Sequence, residues 1–415
     1  MPSMQMTAIS TWCALGLRTA MTGAMKSQAV EGGIHVHSKI LCSHLVHGTL
    51  ISTLSMWKPN HSIRCLQLQT GARNKLSPCL LNSTRFCNYA TLAATGSVAV
   101  PQEISSSLNS IVPDSPPPSQ SDLQRLYDFV NDSKRLVVIT GAGTSTECGI
   151  PDYRSPHGAY SSGFKPMTHQ DFISSEQNRR RYWARSYAGW RRFISANPGP
   201  TYLSLAQLEA KGRVKGMITQ NVDRLHYKAG SKPIELHGTT HEVICLDCGD
   251  MSDRYLFQNR VKKLNPEWAK AVEALESGQP GSDASFGMRI RPDGDLDIHE
   301  KFFRKGNFII PECKKCNGTL KPNVVFFGDN VPKPRVDLCM SLARSADALL
   351  VVGSSVMTMS ALRLVRAAAD MGSPIAILNI GPTRADDLAH FKINARSGEV
   401  LPRLLNMGSM SVPTS

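Results

Sequence analysis

The sequence predicts an α/β fold: a parallel sheet whose loops gather into one ligand crevice, carrying a small metal-holding insert. Three observations predict it. A short β-branched run, Arg135-Leu-Val-Val-Ile-Thr140, feeds directly into a glycine turn at Gly141-Ala-Gly143. Three later segments, Val214–Asp223, Ala348–Ser355 and Ile375–Gly381, repeat the pattern of an apolar run ending in small, amide or acidic residues. Two Cys-x-x-Cys pairs, Cys245/Cys248 and Cys313/Cys316, lie between the Val214–Asp223 and Ala348–Ser355 segments.

Composition agrees with a globular enzyme. The chain has 415 residues, 41% hydrophobic and 19% charged, ordinary values for a folded domain. No apolar run approaches the roughly 20 residues that a membrane-spanning helix needs. The net charge of +14 is unevenly placed. Residues 1–100 hold eight Lys or Arg against the single acid Glu31, so half of the charge sits there. That segment is also rich in Ser and Thr, the composition of an organelle-targeting leader. It is expected to direct the protein to the mitochondrial matrix, with plastid or dual targeting as alternatives. Residues 101–120, with the Pro-rich stretch at 113–121, read as a linker. Five of the 11 cysteines are scattered through the leader without regular spacing. This is no disulfide framework, and a reduced compartment with one metal site is expected.

The folded part is expected from Ser121, which opens an amphipathic helix through Leu123, Leu126, Tyr127 and Val130. The strand that follows ends in Gly141-Ala-Gly-Thr144. A strand, a glycine turn and then small polar residues bring backbone N–H groups to a pyrophosphate in α/β folds. The spacing is not Gly-x-Gly-x-x-Gly, and no clear ribose-binding acid follows about 20 residues on. Loops at the carboxyl ends of parallel strands are where open sheets bind ligands, and four such loops predict a single crevice.

The two cysteine pairs supply four soft thiolates, which suit tetrahedral Zn²⁺. With Cys245, Cys248, Cys313 and Cys316 all used, no position stays open for water, so the metal is expected to be structural. Between the pairs, a helix is expected around Trp268–Leu275 and a loop over Gly278–Asp297.

Taken in order, these segments resemble the signatures of the sirtuin family. The stretch Gly141–Ser155, Thr219-Gln-Asn-Val-Asp-Arg-Leu-His226 and Glu235-Leu-His-Gly238 carry the likeness. The Cys-x-x-Cys pairs, Phe326-Phe-Gly-Asp329, Gly353-Ser-Ser355 and Asn379-Ile-Gly381 continue it, over residues 121 to 405. Arg181-Tyr-Trp-Ala-Arg185 and the run 379–387 resemble class II, the largely mitochondrial branch. The insert at 291–297 and the ending at 408–413 look most like plant members.

The resemblance implies a Rossmann-like, doubly wound parallel sheet (about 121–155, 200–240 and 320–405) with a small inserted domain. A helical insert (about 156–199) and the zinc-binding insert (about 241–319) would form that second part, and 406–415 a tail. It implies an NAD⁺-dependent protein-lysine deacylase that releases nicotinamide and yields O-acyl-ADP-ribose. His237 is then the catalytic base, apt because imidazole titrates near neutrality, with Asn221 beside it. The implied cofactor contacts are Gly141, Ala142, Gly143, Thr144, Glu147, Asp152, Tyr153, Arg154 and Tyr160 from the first loop. Gln220, Asn221, Val222 and Asp223 would serve the nicotinamide ribose. Gly353, Ser354, Ser355, Asn379, Ile380, Gly381 and Ser397 would hold phosphates and the adenosine ribose. An acylated-lysine substrate would add as a strand between Phe327-Gly-Asp329 and the loop after Ser355.

Four residues depart from the family pattern: Thr144, Cys148, Tyr202 (a His in many members) and Arg224, which could alter the rim of the site. The Tyr and Arg pair of desuccinylating sirtuins has no counterpart after Arg154, which favours a neutral acyl group. A monomer is expected. Two other readings compete: NAD⁺-dependent ADP-ribosyl transfer, and a zinc-ribbon nucleic-acid module. The acids Asp247, Asp250 and Asp253, with the run 293–300, argue against the last.

Overall fold

The computed structural model describes residues 111–411, except 164, 279–284, 286, 291–295 and 299–307. The expected leader, half of the linker and most of the 291–300 stretch lie outside the described residues.

Helix α1 (Gln120–Asp132) leads into β1 (Leu136–Thr140) and a 3₁₀ turn, Ala142–Cys148. Helices α2 (His169–Ser174), α3 (Glu176–Ser195) and α4 (Pro200–Ala210) precede β2 (Val214–Thr219). The short α5 (Leu225–Lys228), β3 (Ile234–Glu235), β4 (Gly238–Cys245) and β5 (Met251–Asp253) follow. Next come α6 (Arg254–Leu264), α7 (Pro266–Glu276), β6 (Arg289–Ile290), β7 (Leu296–Asp297) and β8 (Leu320–Val324). Then come α8 (Lys333–Ser345), β9 (Ala348–Val352), α9 (Met359–Asp370), β10 (Ile375–Leu378), β11 (Phe391–Ile393), α10 (Ser397–Leu405) and the short α11 (Gly408–Ser411).

Six parallel strands form the main sheet in the order β11-β10-β9-β1-β2-β3. The central strands β1, β9 and β10 read as continuous apolar runs because both their faces are covered. Side chains alternate across a strand, so Leu136 and Val138 enter one core while Val137 and Ile139 enter the other. The first core packs α1, α4 and α10 against the sheet through Leu126, Leu205 and Leu404. The second packs α8 and α9 through Ala343, Leu362 and Val365. This is the doubly wound arrangement, and it lines up the carboxyl ends of β1, β2, β9 and β10.

A third core joins α3, α6 and α7 to the antiparallel sheet β5-β4-β8. Trp183 is fully buried there and donates its indole N–H to the Leu320 carbonyl at 3.1 Å. Arg254 is buried in the same place, its guanidinium lying 4.9 Å from the ring centroid of Trp183 and 4.7 Å from that of Trp190.

Two local expectations are corrected, and one helix is added ahead of the expected one, which forms as α7. The cap of α1 is Ser119, not Ser121, because the Ser119 hydroxyl is the one that reaches the Asp122 N–H (3.0 Å). Helix α6 precedes the expected helix at 268–275, its N-terminus capped by Asp253. The stretch 278–297, expected to be loop, contains the β6–β7 ladder, since Met288, Leu296 and Ile298 carry apolar side chains into the third core.

Candidate active site

The carboxyl ends of the parallel strands open onto one cavity of about 1750 Å³. Close backbone approach shapes its phosphate end. Gly143 N–H donates to the Gly353 carbonyl at 2.9 Å. A Cβ on Gly143 would lie 2.8 Å from that oxygen, and one on Gly141 would lie 2.6 Å from the Ser354 Cβ. Gly353 itself has φ +56, and a Cβ there would meet the Thr144 nitrogen at 2.6 Å. No side chain fits between the two loops, so their backbone N–H groups and carbonyls form the wall. A pyrophosphate is held by backbone N–H groups at such a glycine turn, not by the carbonyls, and the cradle, with no side chain in it, has room for one.

Of the cofactor contacts expected from the sequence, Ala142, Gly143, Glu147, Asp152, Tyr153, Arg154, Gln220, Asn221, Val222, Gly353, Ser354, Ser355, Asn379, Ile380, Gly381 and Ser397 line this cavity, as does His237. Gly141, Thr144, Tyr160 and Asp223 do not; they stand behind the lining and hold it. Thr144 donates its hydroxyl proton to the Gly141 carbonyl (2.8 Å). Tyr160 packs on Tyr153 with ring centroids 5.6 Å apart and lies under the Arg154 guanidinium. Glu147 lines the cavity, yet its carboxylate accepts the Thr201 N–H at 2.7 Å, at the first turn of α4. The helix dipole favours an anion there, which makes Glu147 a cap for α4. Burial raises its carboxyl above the ordinary value against that bond.

His237 sits between the sheet and the β4–β8 pair. Its Nδ1 lies 3.2 Å from the Gln220 carbonyl and its Nε2 lies 2.8 Å from the Ser360 hydroxyl. A carbonyl only accepts, so Nδ1 carries the proton and the Nε2 lone pair is left basic. Burial lowers the imidazole from its ordinary value; the Gln220 bond opposes this and the Arg335 charge adds to it. The ring is therefore neutral at working pH. Gln220 is held in turn: its amide donates to Ser354 Oγ at 2.7 Å and its oxygen accepts from Thr358 at 3.2 Å.

The segment expected to pair with a peptide, Phe327-Gly-Asp329, lines the cavity mouth beside Met357 and Met359. One edge is anchored, with Phe327 accepting the His169 N–H at 2.9 Å. Asp329 lies 3.3 Å from both His169 and the buried Lys321.

The departures resolve individually. Arg224 turns from the cavity toward Glu242, 2.6 Å away. The Cys148 sulfur accepts the Gly199 N–H (3.2 Å), and burial pushes its thiol up to about 12, which keeps it unreactive. Tyr202 is fully buried behind Asn221. Ser360 and the Val112–Asp114 stretch, tied to Arg396, were not anticipated as cavity residues. No motif surrounds them that could have announced it.

The four sulfurs of Cys245, Cys248, Cys313 and Cys316 lie within 4.8 Å of one another, with closest approaches of 3.5 and 3.8 Å. A tetrahedron with metal–sulfur bonds of about 2.3 Å has edges of about 3.8 Å. The donor set and spacing fit zinc.

Comparison with known proteins agrees with this geometry. The Sir2 family model matches residues 141–360. The Arabidopsis thaliana NAD-dependent protein deacylase SRT2 is 61% identical over 303 residues, 73% of this chain and 81% of that protein. The human NAD-dependent protein lipoamidase sirtuin-4, mitochondrial, is 45% identical over 299 residues, 71% of this chain and 90% of that protein. A solved structure of Sir2 bound to acetylated peptide superposes with a TM-score of 0.50 at 29% identity, covering 68% of this chain and 97% of that one. With its strand-end glycine cradle, its neutral buried histidine and these relatives, the chain belongs to the Sir2 family.

Proposed function

We propose that the protein is an NAD⁺-dependent protein-lysine deacylase, which passes the acyl group to ADP-ribose and releases nicotinamide. The observation that carries this is His237 Nε2, a basic lone pair on the wall that Gln220, Asn221 and the Phe327 edge share. NAD⁺, when bound, supplies the electrophilic ribose carbon that the acyl oxygen attacks. Nε2 takes a proton from a ribose hydroxyl, and Nδ1–H on the Gln220 carbonyl holds the ring for that transfer. Gly143 and Gly353 bring backbone groups to the phosphates, Gln220 and Asn221 face the ribose, and Asn379 and Ser397 serve the adenosine side. The exposed face of Phe327, with Met357 and Met359, supports an acylated peptide lying at the mouth. Absence of a Tyr and Arg pair after Arg154 favours a neutral acyl group.

Cys245, Cys248, Cys313 and Cys316 would hold one structural zinc, joining the end of β4 to the start of β8. The basic, acid-poor residues 1–100 support an organelle leader, and a mitochondrial destination accords with the name of the sirtuin-4 relative. Residues 121–405 are proposed as the catalytic domain, acting as a monomer.

The test incubates the purified protein with NAD⁺ and acetyl-, butyryl-, octanoyl-, lipoyl- and succinyl-lysine peptides, following nicotinamide and O-acyl-ADP-ribose by mass spectrometry. Acyl-dependent release that His237→Ala abolishes is the expected result. No release from any peptide by folded, zinc-loaded protein sinks the reading and leaves ADP-ribosyl transfer.

A further inference from the structure

Tyr202 lies on α4, the helix whose first turn Glu147 caps, and its side chain is fully buried. Its hydroxyl does not touch the cavity. It sits 2.9 Å from Asn221 Nδ2, 2.7 Å from Ser145 Oγ, 3.2 Å from Thr144 Oγ1 and 3.4 Å from Asp223 Oδ2. Ser145 Oγ stands 2.8 Å from that same carboxylate oxygen.

The directions of these bonds follow from what each group can do. Burial raises the Asp223 carboxyl, and the bonds from the Leu225 N–H, Ser145 and Tyr202 oppose this; as a carboxylate it only accepts, so Ser145 gives its proton to Asp223. Ser145 then accepts from Tyr202, and the Tyr202 oxygen accepts from Asn221 Nδ2. Burial raises the phenol well above its ordinary value, so it stays protonated and able to donate. Asn221 Nδ2 has a second proton, which the Gly141 carbonyl takes at 3.0 Å; Thr144 Oγ1 and Ser145 Oγ stand farther from the same nitrogen, at 3.1 and 3.2 Å. Both amide protons are thus committed away from the cavity. A flipped amide would set its carbonyl oxygen against the Gly141 carbonyl, two acceptors facing each other.

We propose that Tyr202 is a positioning residue: through the chain Asn221–Tyr202–Ser145–Asp223 it fixes the Asn221 amide with its carbonyl oxygen toward the cavity. Asn221 then presents an acceptor at the nicotinamide end of the cofactor, and it selects a donor there, a ribose hydroxyl or a carboxamide N–H. The anchoring runs through the first loop, whose Ser145 joins the chain, so the nicotinamide end and the glycine cradle share one hydrogen-bond system. The inference rests on the cavity binding NAD⁺, as proposed above, but not on the deacylation that follows.

The test is a binding measurement on the full chain, free of acyl peptide. NAD⁺ and AMP are titrated into wild type and Tyr202→Phe, with the melting temperature of each recorded. Phe keeps the ring and removes the hydroxyl. The expected result is NAD⁺ affinity at least fivefold weaker, AMP affinity within twofold of wild type and a melt within a few degrees. Unchanged NAD⁺ affinity overturns the proposal, and so does a parallel loss of NAD⁺ and AMP binding with a collapsed melt, which marks a role in folding alone. If Tyr202→Phe does not fold, Ser145→Ala breaks the same chain, and the same selective loss is required of it. A wild type that binds NAD⁺ yet releases no nicotinamide with any acyl peptide refutes the deacylase reading and leaves this comparison intact.

Discussion

The Arg224 guanidinium lies 3.5 Å from the Glu235 carboxylate, yet the Glu235 carboxyl is pushed up to about 7. Burial is the largest cause. The Arg224 charge is the largest opposing cause but does not cancel burial, and Glu242, with which Arg224 makes its closer contact at 2.6 Å, adds to the penalty on Glu235. Glu242 is lowered despite burial by its bonds from Asn323 and Arg224. Glu235 therefore loses the competition for one cation.

A stability consequence follows from the sign of that shift. The folded state holds the Glu235 proton more tightly than the unfolded chain, whose carboxyl titrates near 4.5. This contribution is full below 4.5 and is lost as pH rises toward about 7. Glu235→Gln removes the titration, so its melting temperature should decline less than that of wild type across this window. Parallel melting curves for the two proteins would show that Glu235 titrates normally.

Neutral His237, with an unprotonated Nε2 that Ser360 faces at 2.8 Å, predicts an acid limb in the rate. Because burial lowers the imidazole, half-maximal kcat on that limb should fall below the ordinary histidine value of about 6.5. His237→Ala should lose about 10²–10⁴ in kcat while binding NAD⁺ as wild type does. A pH profile with its acid limb above 6.5 would contradict the burial argument.

At the cradle, Gly353→Ala forces a Cβ against the Thr144 nitrogen at a φ of +56. The strain costs about 1–3 kcal/mol, and relief requires the two loops to part. The apparent KM for NAD⁺ should rise at least tenfold and the KM for acyl peptide should change little. Steady-state kinetics with each substrate varied in turn checks this.

For the cysteine cluster, one zinc per chain is expected by elemental analysis. Cys313→Ser should lower that content and the melting temperature together, because a metal held there would join the end of β4 to the start of β8. Activity should fall in step with the folded fraction. Inactivity of a fully folded, zinc-free protein would show a catalytic part for the metal instead.

Much of this was readable before any coordinates. The strand at 136–140 announces itself by β-branching, the loops by glycine, and the four-cysteine cluster by its two Cys-x-x-Cys pairs. Each is a local pattern with a local cause: backbone that must pass close to backbone, or two thiolates two residues apart. His237 was legible only through the wording around it, as one of 12 histidines.

The tertiary structure alone decided the partners. Ser360, 123 residues beyond His237, supplies the Nε2 contact, and Tyr202, 57 residues beyond Ser145, ties Asn221 to Asp223. Glu147 carries the motif's wording for a cofactor contact, yet the arriving first turn of α4 takes its carboxylate. The residue types along the chain determine which groups are available and which strands form. Which donor meets which acceptor depends on how helices and sheet pack, and at a buried site that pairing sets each proton's place.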